Sequence, residues 1–323
     1  MMSSKIVVAG AGSVGCFVGG LLKAAGRNVS FLARPRIEAE LATNGLILTD
    51  YSGMQVTVPQ SEIEIASTPS LLSKADIVLV TVKSGATHEM ARLIAQYTSP
   101  SAVIVSLQNG IQNADILRRT LPTHDIRAGM VPFNVVPMGN GHFHRASSGD
   151  MKVENTSTDV SKLLSTEHLE TSAVADMKPI LWGKLLINLN NALNAIADQP
   201  LYEQLQDRNQ RKLMARQMAE ALRVIEAEGI APTSPAPVPT WLIPHILRLP
   251  TSLFRLTAKK MLNVDPNARL SMWQDLQMGR KTEIDELQGV ILELGRKHGI
   301  NTPVNQRTYD QIKDLEKQIS EER

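Results

Sequence analysis

The sequence predicts an α/β domain with a parallel sheet over residues 1–174, followed by an all-α domain over residues 175–323. Three observations lead to this prediction. The chain has 323 residues, which is long for a single hydrophobic core, so two domains are expected. Short apolar runs alternate with helical patterns as far as about Ala173. From Met177 onward the pattern is helical, over residues 177–197, 207–228, 267–298 and 303–320.

Composition and charge are those of an ordinary soluble protein. The chain is 43% hydrophobic and 20% charged, and its formal net charge of +2 gives no basic excess that would attract nucleic acid or a membrane surface. The one cysteine, Cys16, excludes an intrachain disulfide and a cysteine metal cluster, and we interpret it as a core residue. The start lacks a signal-peptide pattern, and no apolar run approaches about 18 residues. We therefore expect a cytoplasmic protein without nucleic-acid or membrane partners.

The first predicted strand runs into a glycine-rich turn. The apolar run KIVVAG leads into GAGSVG, a helical segment follows, and NVSFLA is the next strand. This order within about thirty residues matches the fingerprint of a Rossmann dinucleotide-binding domain. In that fingerprint Gly10 allows a tight turn, Gly12 lets the backbone approach the pyrophosphate, and Gly15 lets helix and strand pack closely. The predicted phosphate-binding loop consists of Gly10, Ala11, Gly12, Ser13, Val14 and Gly15.

The end of the second strand selects the cofactor. A site for NAD(H) carries an acidic residue here, which binds the 2′-hydroxyl of the ribose. This chain has LARPR instead, with Arg34 directly after the strand and Arg36 just beyond. A guanidinium binds phosphate through two parallel hydrogen bonds, so the sequence favours NADP(H) over NAD(H). Arg34 is the residue that we expect to bind the 2′-phosphate. It is preferred because it follows the strand directly, and a solvated surface residue is the alternative interpretation of Arg36.

Two polar residues follow later strands of the same domain. After a predicted hairpin, GLILTDYSGMQVTVP, the strand ADIVLVTVKS ends near Lys83, and the strand SAVIVSLQNG ends near Asn109. Open α/β sheets bind ligands just beyond the carboxyl ends of their strands. We therefore predict that Lys83 and Asn109 belong to the ligand site at this edge, with Lys83 in contact with the cofactor. A solvated lysine and a turn asparagine are the alternatives.

The segment WGKLLINLNNALNAI has an unusual polar face. At about 100° per residue, Lys184, Asn188 and Asn191 lie on one side of a helix and Asn194 lies nearby, while leucines occupy the other side. Asparagine is a mediocre helix former, and solvated faces normally carry Glu, Lys, Gln and Arg. Two interpretations stay open from this pattern: a solvated face, or the wall of a cavity that binds a ligand.

Other features carry less functional weight. Six prolines between Pro232 and Pro250 exclude a regular helix across much of that segment, which we predict to be irregular and to pack on its own domain or on a neighbouring subunit. His142 and His144 form an HxH pair on a predicted strand, but no third ligand is indicated, so no metal site is expected. We interpret Trp241 and Trp273 as packing residues.

Several motifs together resemble one enzyme family. WGKLLINLNNALNAI, SMWQDLQMGRKTEID, GINTPVNQRTYDQI, GAGSVG and LQNGIQNADIL are similar to the corresponding stretches of the ketopantoate reductase (2-dehydropantoate 2-reductase) family, and the resemblance covers nearly the whole chain. It implies reduction of the keto group of 2-dehydropantoate with NADPH, on the route to pantothenate and coenzyme A. The partner expected is thus a small 2-oxo acid. A homodimer stays open.

The resemblance also implies residue roles. Lys184 matches the catalytic lysine of the family, which we expect to donate the proton, and Asn188 matches a substrate-binding amide. Asn109 matches the asparagine near cofactor and substrate. Ser271 matches a ligand of a substrate hydroxyl, and Glu283 matches the active-site glutamate, which we also expect to contact the cofactor.

Two departures from the family pattern concern the substrate. The family has a second asparagine eight residues after the lysine, where this chain has Ala192. Asn191 lies one position earlier, and we expect it to bind substrate in its place. A further asparagine, just beyond the proline that follows the helix, is Leu201 here. A reductase of a different branched or hydroxylated 2-oxo acid is therefore the first alternative, and a non-catalytic NADPH-binding sensor is the second.

One geometric expectation follows from the spacing of Ser271 and Glu283. Twelve residues of straight helix span about 18 Å, so both side chains line one small site only if the segment bends or if they touch opposite ends of the ligands. Gly279 is the expected position of a break. We also expect the substrate site to lie between the carboxyl edge of the sheet and the Lys184 helix, facing Asn109.

Overall fold

The computed structural model of the protein describes residues 4–156, 158–234, 238–258, 262 and 268–321. The chain divides into two compact units, Met1–Met177 and Lys178–Arg323. The first is α/β, and every regular element described in the second is helical. The predicted fold class, a Rossmann domain followed by an all-α domain, is confirmed.

The strands described in the first unit form two sheets. In chain order they are β1 (Lys5–Ala9), β2 (Asn28–Leu32), β3 (Leu46–Asp50), β4 (Gln55–Val58), β5 (Glu64–Ala66), β6 (Ile77–Val80), β7 (Val103–Ser106), β8 (Asp125–Met130), β9 (Val135–Gly139), β10 (His142–Arg145), β11 (Met151–Glu154) and β12 (Thr171–Val174). The larger sheet has the order β12-β11-β8-β7-β6-β1-β2-β5. The neighbours β5, β2, β1, β6, β7 and β8 all run parallel to one another, and β11 runs antiparallel to β8. From β1 the chain adds β2 and β5 on one side of the sheet, and it then crosses to the other side of β1 and adds β6, β7 and β8, as in doubly wound sheets.

Strand β1 shows why the central strands are apolar throughout. Ile6 and Val8 contribute to the core on one face of the sheet, whereas Val7 and Ala9 contribute to the core on the other face. All four are at most 1% exposed. Successive side chains of a strand point to opposite faces, so a sheet covered on both sides needs a continuous apolar run.

The helices of this unit cover those two faces. They are α1 (Ser13–Ala24), α2 (Pro35–Asn44), α3 (Thr87–Tyr97), α4 (Asn113–Thr120) and the short α5 (Ser161–Leu164). Cys16 on α1 is fully buried, as predicted, and burial raises the pKa of its thiol. The thiol is therefore a packing group that stays protonated.

The predicted hairpin is present and belongs to the second sheet. Strands β3 and β4 pair antiparallel, and the sheet order is β4-β3-β10-β9. Leu46 and Leu48 of β3 and Phe143 of β10 share a core with α1. Local sequence patterns do not predict this sheet, because the parallel pairing of β3 with β10 joins segments almost a hundred residues apart.

The second unit consists of helices arranged around α9. Its helices are α6 (Lys178–Asn188), α7 (Asn190–Ala197), α8 (Leu201–Gln206), α9 (Arg208–Ala227), α10 (Ile243–Arg248), α11 (Thr251–Thr257), α12 (Ser271–Gln277), α13 (Val290–His298) and α14 (Pro303–Glu321). The 20-residue α9 contacts α6, α8, α10, α13 and α14. It therefore forms the centre of this unit.

Two long helices predicted from the sequence are broken. The predicted helix 177–197 is two helices, α6 and α7, separated at Leu189. The predicted helix 267–298 is also wrong as a single helix, although its start at residue 267 lies outside the described residues. Helix α12 ends at Gln277, Gly279 takes a φ of +58°, and a π-helical turn, Asp285–Gly289, leads into α13. The break expected at Gly279 is confirmed, since glycine adopts this left-handed conformation without strain.

The proline-rich segment is partly helical, which corrects the prediction. Residues 231–234 have no regular structure, and Pro235 and Pro237 lie outside the described residues. Pro244 stands in the first turn of α10, and Pro250 is the residue before α11. Proline is tolerated there because the first N–H groups of a helix have no partner within it. Trp241 is 63% exposed, so its predicted packing role is wrong.

A close backbone contact fixes α6 next to Lys184. A methyl group added at Gly183 would lie 1.7 Å from the carbonyl oxygen of Thr233, whose N–H donates to Pro179. We expect Gly183→Ala to lower the free energy of unfolding by about 1–3 kcal/mol or more, because either the helix or the 231–234 segment must move. Urea unfolding measures this change. The control is Gly85→Ala, which places its methyl group in open space; equal stability of the two variants would contradict the packing described.

Candidate active site

The glycine turn has the geometry that a dinucleotide needs. Gly10 has a φ of +106°, and a methyl group there would lie 2.6 Å from Val82 Cγ1. A methyl group on Gly15 would lie 2.5 Å from the carbonyl oxygen of Gly10, so α1 packs tightly on β1. Gly12 caps α1, which has no acidic residue in its first turn, and apart from its own neighbouring backbone no atom of the described residues lies within 4 Å of where its Cβ would be. This space beside the helix N-terminus fits a pyrophosphate.

The two arginines after β2 have different surroundings. Arg34 is the N-terminal cap residue of α2 and is exposed. The guanidinium of Arg36 pairs with Glu40 one helical turn away, at 3.2 Å. Within the described part of the chain, Arg34 makes no ion pair. Arg34 is thus the guanidinium that remains available to a ligand phosphate.

The loops after β6 and β7 are joined by hydrogen bonds. The amide of Gln108 donates to the carbonyl of Val82 at 3.0 Å, and the hydroxyl of Ser84 donates to the carbonyl of Asn109 at 2.9 Å. Lys83, which lies between Val82 and Ser84, is exposed, and Asn109 is half-buried. These bonds hold Lys83 and Asn109 in adjacent loops.

All the predicted cofactor residues of this unit lie at one edge. The strands that precede them are neighbours in the order β2-β1-β6-β7 and run parallel, so their carboxyl ends meet. Arg34 follows β2, the Gly10–Gly15 turn follows β1, and Lys83 and Asn109 follow β6 and β7. This edge contains the point at which the strand order reverses, where doubly wound sheets bind dinucleotides.

In the helical unit, Lys184 has an altered acidity. It lies on α6, four residues and therefore one turn before Asn188, so the two side chains share a face. Lys184 is partly buried, and burial lowers its pKa to about 8, while the negative charge of Glu283 acts in the opposite direction. A lysine with this pKa exists in both protonation states near neutral pH and can donate a proton.

Two of the four asparagines of the motif have structural roles. Asn190 and Gln204 exchange two amide hydrogen bonds of 3.2 Å. Asn194 donates to the carbonyl of Gln199 at 3.0 Å, and its oxygen accepts the N–H of Leu270, the residue that caps α12. Asn194 is fully buried. Neither a solvated face nor a cavity wall, the two structures that the helical pattern allows, describes these two side chains.

Asn191 lies beside another predicted substrate residue. Its amide nitrogen donates to the hydroxyl of Ser271 at 3.3 Å, and Ser271 opens α12. The helix is interrupted at Leu189, between Asn188 and Asn191, so these two asparagines do not belong to one continuous helix. The structure brings Asn191 and Ser271 together.

Glu283 stands in a short segment fixed on both sides. Thr282 donates its N–H and its hydroxyl to the same oxygen of Glu316 on α14, each at 2.7 Å. Asp285 accepts a hydrogen bond of 2.6 Å from the hydroxyl of Tyr309. Glu316 and Tyr309 were not predicted as site residues, because nothing in their local pattern distinguishes them from other residues of an amphipathic helix.

Other site types find no support among the described residues. No group of three or more His, Cys, Asp and Glu residues there has an arrangement that could hold a metal ion. His142 Nε2 and His144 Nδ1 both hydrogen-bond the hydroxyl of Thr49, at 2.7 and 2.9 Å. The helices of the described chain also include none that is long and apolar enough to cross a membrane.

Comparison with known proteins identifies the family. The model of the family "Ketopantoate reductase PanE/ApbA" matches residues 6–158, and that of its C-terminal domain matches residues 176–316. A 2-dehydropantoate 2-reductase of Halobacterium salinarum is 27% identical over 319 residues, which are 96% of this chain and 98% of that protein.

Solved structures agree in fold. A PanE/ApbA family ketopantoate reductase from Ralstonia eutropha JMP134 superimposes with a TM-score of 0.83 at 29% identity, covering 98% of this chain and 99% of its own. D-mandelate dehydrogenase with NADH and anilino(oxo)acetate has a TM-score of 0.81 at 22% identity, with the same coverage, and shares the fold. The chain therefore belongs to the ketopantoate reductase family and is an oxidoreductase that acts on a CH–OH group.

Proposed function

We propose that the protein reduces 2-dehydropantoate to pantoate with NADPH, in the cytoplasmic route to pantothenate and coenzyme A. One observation carries the proposal: a partly buried Lys184, with its pKa lowered to about 8, lies one turn from Asn188 and within reach of the charge of Glu283. The 2-dehydropantoate 2-reductase relative supports the substrate.

The two domains have separate tasks in this proposal. The N-terminal domain, residues 1–174, binds NADPH, which supplies the hydride. The helix-start N–H groups of the Gly10–Gly15 turn bind the pyrophosphate, and Arg34 binds the 2′-phosphate. Lys83 contributes a further positive charge to the cofactor. The helical domain, residues 175–323, binds the 2-oxo acid.

The helical domain also supplies the proton. Reduction of a ketone places negative charge on its oxygen, and the ammonium of Lys184 stabilises that charge and then donates its proton to the oxygen. The amides of Asn188 and Asn191 and the hydroxyl of Ser271 bind the oxygens of the substrate without adding charge. Glu283 favours the protonated form of Lys184 and contacts the cofactor, and Asn109 serves both ligands.

The rate of reduction should fall as the pH rises through the pKa of Lys184. The protonated lysine is the active form, so kcat is expected to be highest below about pH 8 and to decline above it. Because Glu283 raises the pKa of Lys184, Glu283→Gln should move this decline to lower pH. Steady-state rates of NADPH oxidation across the pH range measure both profiles. A decline that moves to higher pH in Glu283→Gln would contradict the role given to Glu283.

A panel of 2-oxo acids tests the substrate. We expect the highest kcat/KM with 2-dehydropantoate. A second candidate, a different branched or hydroxylated 2-oxo acid, is favoured by Leu201, an apolar residue at the start of α8 where the family pattern has an asparagine. A clear preference for such an acid would replace the proposed substrate. NADPH binding without turnover of any panel member would instead indicate a sensor.

A further inference from the structure

The break between α6 and α7 is held at one backbone atom. The carbonyl oxygen of Leu189 accepts a hydrogen bond from Nε2 of Gln217 and another from Nε2 of Gln288, each at 2.8 Å. Gln217 lies on α9, and Gln288 lies in the π-helical turn that follows Glu283. Three segments of the helical unit therefore meet at the residue after Asn188.

Packing alone does not explain these two glutamines. Gln217 is 1% exposed and Gln288 is fully buried. The side-chain oxygens of both accept no hydrogen bond from the residues that the structure describes. A buried amide oxygen without a donor is unfavourable, whereas an apolar side chain of the same shape avoids this cost. The hydrogen bonds donated to Leu189 are thus what the two amides contribute.

The carbonyl that they bind lies between two residues assigned to the substrate. Asn188 is the last residue of α6, and Asn191 lies in the first turn of α7, where it donates to Ser271. Leu189, with a φ of −55° and a ψ of −27°, is the one residue between the two helices, so its position affects how both amides are directed. A contact that fixes Leu189 therefore fixes both of them.

Gln288 makes a second connection. It stands five residues after Glu283, and its bond to Leu189 ties the Glu283 segment to the end of the helix that carries Lys184. The charge of Glu283 acts on Lys184. π-Helical turns of this kind are uncommon and occur frequently at functional sites.

We propose that Gln217 and Gln288 are positioning residues for the reaction, because together they fix the backbone at Leu189, where α6 ends and α7 begins. Gln217 directs the substrate-binding asparagines on either side of the break, and Gln288 in addition holds the Glu283 segment in place. Neither glutamine contacts the substrate. This inference rests on the proposed reductase function.

The test replaces each glutamine by methionine, which has a similar volume and no donor. We expect Gln217→Met and Gln288→Met each to lower kcat/KM for the 2-oxo acid by about 10- to 100-fold, since small displacements of aligned groups have effects of this size. Gln288→Met should also move the alkaline decline of kcat to lower pH, because Glu283 then supports the charge of Lys184 less. The matched control is Ile225→Val, a buried change on α9 that removes no hydrogen bond.

Hydrogen–deuterium exchange of backbone amides tests the positioning role of Gln217 and Gln288 separately from the proposed reductase function. Wild-type turnover on the 2-oxo acid panel decides the proposed function alone. Independently of turnover, both methionine variants should exchange faster than Ile225→Val over residues 188–193, and Gln288→Met also over residues 282–289. Variants that match Ile225→Val in kinetics, in pH profile and in exchange would overturn the positioning role.

Discussion

Replacing Lys184 by alanine is expected to lower kcat by about 10²- to 10⁴-fold, the typical range for loss of an acid–base group, with the lost charge stabilisation favouring the upper end. The fold and the affinity for NADPH should change little, since the side chain is only partly buried and lies in the helical domain. Steady-state kinetics at saturating NADPH, together with NADPH titration, measure both quantities.

Two further variants separate charge from proton donation. Lys184→Arg should not restore turnover, because a guanidinium supplies charge but hardly releases its proton. Asn188→Ala should mainly raise KM, if its contact is equally strong in the ground and transition states. A Lys184→Ala enzyme that keeps turnover within a few-fold of the wild type would show that another group, such as a water molecule held by Glu283, delivers the proton.

Arg34→Ala should weaken NADPH binding by about 1.5–3 kcal/mol, which corresponds to roughly 10- to 150-fold in Kd, because a charge-assisted pair with the 2′-phosphate is lost. NADH binding should change far less, since NADH has no phosphate at that position. Fluorescence titration of both cofactors with the wild type and the variant gives the comparison.

Arg36→Ala is the matched control. Arg36 lies two residues after Arg34, in the first turn of α2, but its guanidinium already pairs with Glu40, so its loss should leave both affinities nearly unchanged. Equal losses for NADPH and NADH in Arg34→Ala would exclude the assigned role of Arg34 and would leave the preference for NADP(H) without its main support.

The features that sequence predicted well depend on local rules. The glycine turn is one: Gly10 needs a positive φ and Gly15 needs close packing, and both requirements restrict the residue type directly. The break at Gly279 is another, because the helix pattern there is interrupted by the residue that best tolerates a left-handed backbone. The central strands of the sheet follow from apolar runs that only a sheet covered on both faces requires.

The asparagine helix shows where prediction from the sequence stops. A helical wheel assumes one continuous helix and treats all polar residues on a face alike. In the structure the helix breaks at Leu189, and Asn194 is buried by partners that include Leu270, which is 76 residues away along the chain. The two glutamines that bind Leu189 are 28 and 99 residues distant. Such long-range contacts leave no local pattern.

If Lys184 is the group whose proton is transferred, the pH dependence of single-turnover reduction must change when this side chain is removed. With NADPH and 2-dehydropantoate both saturating, the wild-type rate should decline through a pKa of about 8, as expected for Lys184. In Lys184→Ala the rate should be at least about 100-fold lower, and this decline should be absent. A decline near the same pH that persists in Lys184→Ala would assign the titrating acid to a different residue and contradict the role given to Lys184.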